Sequence, residues 1–555
     1  MRRRDFIKKS ALAASAIPFF NKISYGQDTT SENKNNISSL SDFFYGRDTQ
    51  DNFIKEIFQE LINHDIKHGH FYQSFDHFLI GEMNLKGEMR LNDSYTASHY
   101  LKYKYNEEIF QESNQNELTK DEVQKFKDFI EKKHLASLNN NKRGLPSPSS
   151  PLNNKNESAD TAKAIDTTKQ ELVYNKDEIK AKEMRWEEKI LNRSIEVPDF
   201  PGTVSLKEKI DFLNRIYSIK NRYFKSEKNI MFQWLEWQKE YGSWILDRHN
   251  MRDRFFTVSF QMKSIQNKAP YRINWGGMID INKNLINLSN SEFENSFKIL
   301  NEQMEKDNLL PINQISSDFF PILLSPGNTA KFWGITLCPY FMENRLYDII
   351  KKDGGSTKFS KDFSLYDDPR KIESPMNRVF DDEGFEVKKH GLIQNGELGK
   401  NFITLEDDWG SQPIAGEHGR SRIIDVNQTA KSYPMFVNVE PKTDDPLDLK
   451  KAYSKTVLIS ELGDILLDKE TGNFSAQVKR GYLLENGTEK SLLVDAFWFD
   501  NIFEILKKIK GIGKDLVIDN YLVNSYNNNR LNFSSSSPTI LITESLVTLN
   551  ERVLG

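Results

Sequence analysis

The chain has a single cysteine, Cys338, in 555 residues. An intrachain disulfide and any cysteine-based zinc knuckle are therefore excluded. Excess charge of either sign is also missing: 76 Lys and Arg against 80 Asp and Glu leave a net −4, with a pI near 6.2. That balance gives no electrostatic reason to expect nucleic acid as a partner. No G-x-G-x-x-G occurs; Gly511-Ile-Gly-Lys is half of one and follows a helix pattern, not a strand. A nucleotide-dependent oxidoreductase needs such a turn to approach a pyrophosphate, so that class is set aside.

The chain opens on an address. Arg2-Arg3-Arg4-Asp5-Phe6-Ile7-Lys8-Lys9 is a basic segment with the Arg-Arg-x-Phe-Ile-Lys pattern of twin-arginine export. The apolar run Ala11 to Phe20 that follows is too short to span a bilayer. Ser24 and Gly26 suit the −3 and −1 positions of a cleavage site. Residues 1–26 thus read as a signal peptide, with a periplasmic mature chain and no membrane anchor after cleavage.

Further on, the pattern alternates between helix and strand. Phe53, Ile57, Phe58, Leu61 and Ile62 predict a helix over Asn52 to Lys67, stopped by Gly69. Phe75 to Gly81 and Tyr95 to Tyr105 read as strands, completing an α/β segment at 47–138. Residues 139–170, rich in Asn, Pro, Ser and Lys, read as a disordered linker or insertion. A central α+β region, 176–318, opens with a helix over Lys176 to Leu191. Ser205-Leu-Lys-Glu208 then caps a helix with Leu206, Ile210 and Leu213 inward. Met231 to Leu246 and Phe255 to Met262 read as strands. Ser291-Glu-Phe-Glu294 caps a helix that buries Phe293, Phe297, Leu300 and Met304. From 319 to 555 short strands and Gly turns predict a β-rich domain, interrupted by one helix, Asn501 to Lys510, ending at Gly511.

That last domain carries a recognisable order of motifs. Arg378-Val-Phe-Asp-Asp-Glu-Gly-Phe-Glu-Val-Lys-Lys-His-Gly-Leu-Ile-Gln-Asn-Gly-Glu-Leu reads as strand, acidic turn, strand and Asn-Gly turn. Gly472-Asn-Phe-Ser, Gly481-Tyr-Leu-Leu-Glu-Asn-Gly, Ile509-Lys-Gly-Ile-Gly-Lys-Asp and Ser537-Pro-Thr-Ile-Leu-Ile follow. The series resembles the C-terminal half of the TldD/PmbA family, metallopeptidase-related proteins once called modulators of DNA gyrase. The resemblance covers roughly residues 205 to 545. It implies a two-lobed α+β subunit that pairs with a paralogue. In such pairs a zinc-bearing subunit and a ligand-free one act together on unfolded peptides.

Active members of that family carry H-E-x-x-x-H after an apolar strand and a Pro-Gly turn. Here the landmarks are Ile322-Leu-Leu-Ser-Pro326-Gly327, and the ligand window falls at Gly334-Ile-Thr-Leu-Cys-Pro339, without histidine or glutamate. Even with the window slid either way, only Cys338 and Glu343 are possible ligands, too few for a catalytic zinc. The family's C-terminal cysteine is absent too, since Asn524 to Ser537 contains none. The resemblance therefore implies the zinc-free partner, with zinc expected in the other subunit. A standalone peptide-binding protein is the alternative.

Other candidates have simpler readings. His64-Asp-Ile-Lys-His68, with His70 and His77 nearby, imitates H-E-x-x-H, but Asp is shorter than Glu and His68 sits at a helix end beside Gly69. His390 reads as an exposed strand residue. Glu417-His418 reads as part of a Gly-rich loop, although such a pair could perform acid–base work. Asp381-Asp-Glu-Gly384 and Asp367-Asp-Pro369 read as turns that need no ion. Trp234, Trp237 and Trp244 read as core or cross-strand partners, not an exposed platform. No catalytic, cofactor or metal residue is assigned in this chain.

Overall fold

The computed structural model describes residues 47–83, 89–106, 108–114, 118–143, 206–223, 230–246, 249–264, 272–277, 290–311, 318–327, 329–342, 359–370, 380–409, 416–423, 430–524 and 530–548. The signal peptide, the expected helix at 176–191, the Ser205 cap, Glu343 and most of the linker lie outside them. Residues 139–143 of that linker are the last turn of a helix.

The first lobe is built on strands β1 (His68–Met83), β2 (Met89–Tyr105), β3 (Glu108–Asn114), β4 (Ile230–Ile245), β5 (His249–Ser264) and β6 (Arg272–Gly277). They form one antiparallel sheet in the order β3-β2-β1-β4-β5-β6. The segments on either side of the linker therefore share a sheet, because β1 pairs with β4. Helices α1 (Arg47–Asn63) and α2 (Lys120–Arg143) cover one face. Ile54, Ile57, Phe58 and Leu61 make the stripe of α1, and Val123, Phe126 and Ile130 that of α2. Both stripes close on Phe71, Leu101, Tyr103 and Trp244. Trp244 is thus a core residue, as expected; the side chains of Trp234 and Trp237 lie outside the described set. Helices α3 (Leu206–Tyr223) and α4 (Asn290–Leu309) pack together through Phe212 and Phe293. Phe293, Phe297, Leu300 and Met304 are all buried, as their spacing predicts.

The opposite face of the sheet meets the second lobe. Strand alternation sends Tyr72, Tyr100 and Tyr241 that way, onto Val387, Ile423, Ala430 and Met435. The Tyr241 hydroxyl donates to the Phe380 carbonyl at 2.7 Å.

Among the described residues the second lobe holds three further sheets, the smallest being the pair β11 (Ser421–Arg422) and β12 (Lys431–Ser432). In the second, β10 (Glu397–Leu398), β9 (His390–Gln394), β8 (Leu365–Asp367), β13 (Phe436–Val439), β20 (Arg530–Ser537) and β19 (Val517–Asn524) lie side by side. The third closes on itself. Its strands are β7 (Asp318–Leu324), β14 (Lys455–Leu467), β15 (Asn473–Glu485), β17 (Ala496–Asn501) and β21 (Ile540–Thr548). Each pairs with the next around a ring, and β14 completes it by pairing with β15. β16 (Thr488–Leu493) extends β15, and β18 (Ile509–Ile512) extends β21. Two hairpins turn on the Asn-Gly pairs read from the sequence: Asn395 and Gly396 have φ of 49° and 79°, and Asn486 and Gly487 repeat this at 49° and 79°. A Cβ on Gly396 would also meet the Phe359 and Ser360 carbonyls. Helix α4 docks on the barrel through Asp307: Tyr482 donates its hydroxyl to Asp307 Oδ1 at 2.8 Å, and Gln303 donates to the same oxygen at 3.1 Å.

The sequence pattern predicts one helix here, and the described residues form four. α8 (Ile502–Lys508) is the predicted one, capped by the Asn501 side chain, but Ile509 already begins β18, so Gly511 lies in a strand. α6 (Leu405–Trp409) and α7 (Pro446–Lys451) are too short to show a period. α5 (Lys331–Met342) is long enough, but nearly all of it is buried, so no polar face marks it. Its Phe332 ring sits 4.7 Å from Trp498 and 5.1 Å from Phe474, sealing the barrel core.

Candidate functional site

The zinc window of the sequence comparison falls on α5, and the segment where a C-terminal cysteine is expected includes β20. The fold brings these together: α5 packs against β20. Neither carries a histidine, aspartate or glutamate. Thr336 donates its hydroxyl to the Phe332 carbonyl at 2.6 Å, inside the helix. Ser536 donates to Asn438 Oδ1 of the neighbouring β13 at 2.5 Å. Cys338 is buried, and burial, then the Asp367 charge, pushes its thiol well up, away from the thiolate that binds metal. One unionised thiol among hydroxyls and an amide does not fit zinc. Among the described residues no group of three or more His, Cys, Asp or Glu is placed to hold a metal ion.

Polar chemistry concentrates instead where the lobes meet. The acidic turn is indeed a turn, with Gly384 at φ 81°, but Asp381, Asp382 and Glu383 are all buried. They survive burial by collecting backbone amides. Asp381 Oδ1 accepts from Glu383 and Phe385 at 3.0 and 2.9 Å, and its Oδ2 from Gly419 and Ser421 at 3.1 and 2.9 Å. Asp382 accepts from Ile423 at 2.8 Å, and Glu383 from Leu405 at 2.8 Å. Two segments, residues 419–423 and the start of α6, are thereby tied to one turn. Gly419, at φ 98°, passes so close to the Glu386 carbonyl that a Cβ there would sit 2.6 Å from it.

The first lobe joins this network from β2. Lys102 Nζ, buried, donates to Glu406 Oε2 at 2.5 Å, and Lys104 Nζ to the Trp409 carbonyl at 2.5 Å. Glu406, Asp407 and Asp408 of α6 each take a different partner: Lys102, the Thr404 amide at 2.7 Å, and His418 Nε2 at 2.9 Å.

The histidines are placed differently from their sequence readings. His390 is buried, not exposed. Its Nδ1 lies 2.7 Å from Glu417 Oε2 and its Nε2 2.8 Å from the Lys400 carbonyl. Glu417 therefore pairs with His390, while its chain neighbour His418 turns to Asp408 and stacks on Phe385 at 3.8 Å. Burial pushes the Glu417 carboxyl up, but hydrogen bonds from Lys400 and His390 outweigh it and bring it below its ordinary value. Asp367 is no simple turn residue either: it is buried, pairs with Arg420 Nε, and accepts the Met435 and Phe436 amides at 3.0 and 2.6 Å. In His64-Asp-Ile-Lys-His68 the helix ends at Asn63 and His68 begins β1, so the two do not share a helix face. His64 contacts Glu60 at 3.1 Å and lies 4.4 Å from the His134 ring. His70 meets Ser243 Oγ at 2.9 Å; the His77 side chain lies outside the described set. Buried acids at the junction and the His390–Glu417 pair were missed because chain spacing does not show which loops converge.

A β-rich domain with a closed barrel on a two-lobed α+β scaffold is the class of fold that these elements define. The family profile described as the PmbA/TldA metallopeptidase C-terminal domain matches residues 317–548. TldE from Thermococcus kodakarensis is similar in structure, at TM-score 0.59 and 13% identity over 89% of this chain and all of that one. A Thermotoga maritima protein described as a modulator of DNA gyrase has TM-score 0.59 and 12% identity, covering 90% of this chain and 100% of its own. A Bacteroides thetaiotaomicron protein so described has TM-score 0.59 and 13% identity, covering 90% and 99%. No curated protein matches by sequence. Residues 317–548 of this chain match that family's C-terminal domain, and the fold of the chain is similar to that of these three structures.

Proposed function

We propose that this chain is the zinc-free subunit of an exported, heterodimeric peptidase of the TldD/PmbA family that acts on unfolded peptides. The observation that carries the reading is the meeting of α5 with β20: the segments expected to supply metal ligands converge, yet offer hydroxyls, an amide and one buried thiol. The scaffold around them is kept, down to the two Asn-Gly hairpins and the barrel. A kept fold without its ligands is understandable if the fold completes another subunit's peptide chamber. The chemistry would then belong to a paralogue with H-E-x-x-x-H.

Co-expression with such an exported paralogue tests this. Affinity capture of either chain should recover both, and peptidase activity should require the mixture. Capture of this chain only with itself, with the paralogue equally active alone, would sink the reading, as would one zinc per purified chain whose removal abolishes a peptidase activity. The export arm is tested separately. Changing Arg3 and Arg4 to Lys keeps charge but loses the planar guanidinium, and should leave the precursor in the cytoplasm.

A further inference from the structure

Buried polar atoms gather at the lobe junction without a protein hydrogen-bond partner: the Tyr100 hydroxyl, Glu383 Oε1, Ser421 Oγ and Ser432 Oγ. All four residues are at most 2% exposed, and they come from both lobes. Tyr100 lies on β2, Glu383 on the acidic turn, and Ser421 and Ser432 opposite each other on β11 and β12. Ile423 and Ala430, two residues beyond that pair on either side, pack on Tyr72, Tyr100 and Tyr241. Strand alternation therefore turns Ser421 and Ser432 toward the same tyrosine layer, and the intervening Arg422 to the other face. Glu383 closes the group. Ser421 is near enough to favour its charged form, and its own charge reaches Tyr100. Its second oxygen is taken by the Leu405 amide at 2.8 Å. Lys102, on the Tyr100 face of β2, donates to Glu406 instead.

We propose that an ordered water molecule is bound at this junction and bridges the two lobes. Buried oxygens are paired in native proteins, with protein or with water, and a buried water commonly makes two to four bonds. Here the count matches one for one. The water donates to Glu383 Oε1 and to one serine oxygen, and accepts from the Tyr100 hydroxyl and the other serine. One carboxyl and three hydroxyls suit a neutral ligand better than a cation, since Lys102 and Arg422 already bring positive charge into this buried region. The bridge joins β2 to the acidic turn and the β11–β12 pair through polar atoms that form no direct bond with one another.

A crystal structure of the full-length chain, at a resolution that shows ordered water, tests the site. A water should lie within about 3.2 Å of Glu383 Oε1, the Tyr100 hydroxyl and at least one of the two serine oxygens. Three findings would each overturn the proposal: no water density there, hydroxyls bonded directly to Glu383, or an ion ringed by six oxygens. A double-mutant cycle across the junction supplies a solution test. Tyr100→Phe and Ser421→Ala should each raise the unfolding constant about fivefold. Acting through one shared water, the two together should fall clearly short of the roughly 25-fold product. The full product would mean that the hydroxyls act independently, and the bridge would be refuted.

Discussion

His390 and Glu417 form a closed pair: Nδ1 lies 2.7 Å from the carboxylate, and the opposite nitrogen lies 2.8 Å from the Lys400 carbonyl. With both ring nitrogens facing acceptors, none is left to take a proton from a substrate. The pair is a brace between β9 and the loop at residues 416–420, not an acid–base centre.

That brace carries a pH signature. Glu417 is held below its ordinary value, burial opposing and the Lys400 and His390 hydrogen bonds prevailing. Its contribution to stability is present above the unfolded-state pKa and is lost as pH falls through the lowered folded value. Glu417→Gln should therefore melt lower than wild type at neutral pH and converge with it in acid. Parallel melting curves across acid pH would show that the carboxylate does not stabilise the fold.

Asp307 should behave in the opposite sense. Burial pushes its carboxyl up to about 6, against the Tyr482 hydrogen bond that lowers it. A raised acid favours the fold below its unfolded pKa and loses that advantage as pH climbs through the folded value. Denaturant unfolding should record a fall of roughly 2–3 kcal/mol between about pH 4 and 6 from this group. Asp307→Asn should remove most of that slope.

Arg420 and Asp367 are both buried, at 1% and 0% exposure. Removing one partner strands the other charge in a buried site. Arg420→Met or Asp367→Leu alone should each cost about 3–5 kcal/mol, while the double replacement should recover much of the loss. Equal or additive losses in the double variant would mean that the pair is not the unit of stability.

Local signals of the fold were legible wherever an element has two unlike faces or a fixed turn chemistry. The stripe Phe293, Phe297, Leu300 and Met304 announced α4, and Asn395-Gly396 and Asn486-Gly487 announced hairpins. α5 was hidden by its own burial: Phe332, Trp333, Leu337, Cys338, Tyr340 and Phe341 point in every direction into protein, so no period survives. That the segment counted on from Pro326-Gly327 holds no histidine or glutamate is read from residue type alone. The junction was not legible in that way. Asp381 meets the amides of Gly419 and Ser421 only once the loops have folded, and a local reading of Asp-Asp-Glu-Gly stops at the turn.

Cys338 gives the most direct check on the empty ligand window. On α5 it is buried, and burial together with the nearby Asp367 pushes its thiol up. Thiol reagents need both access and thiolate, and the folded chain denies them both. The native protein should react with a thiol reagent at least about a hundredfold more slowly than the denatured chain, at a rate set by opening of the helix. Adding zinc should leave that rate unchanged, since no histidine or carboxylate on α5 or β20 stands ready to draw Cys338 into a site. Rapid labelling of the native protein that zinc suppresses would mean that Cys338 is an accessible thiolate and a metal ligand. The zinc-free assignment would then fall with it.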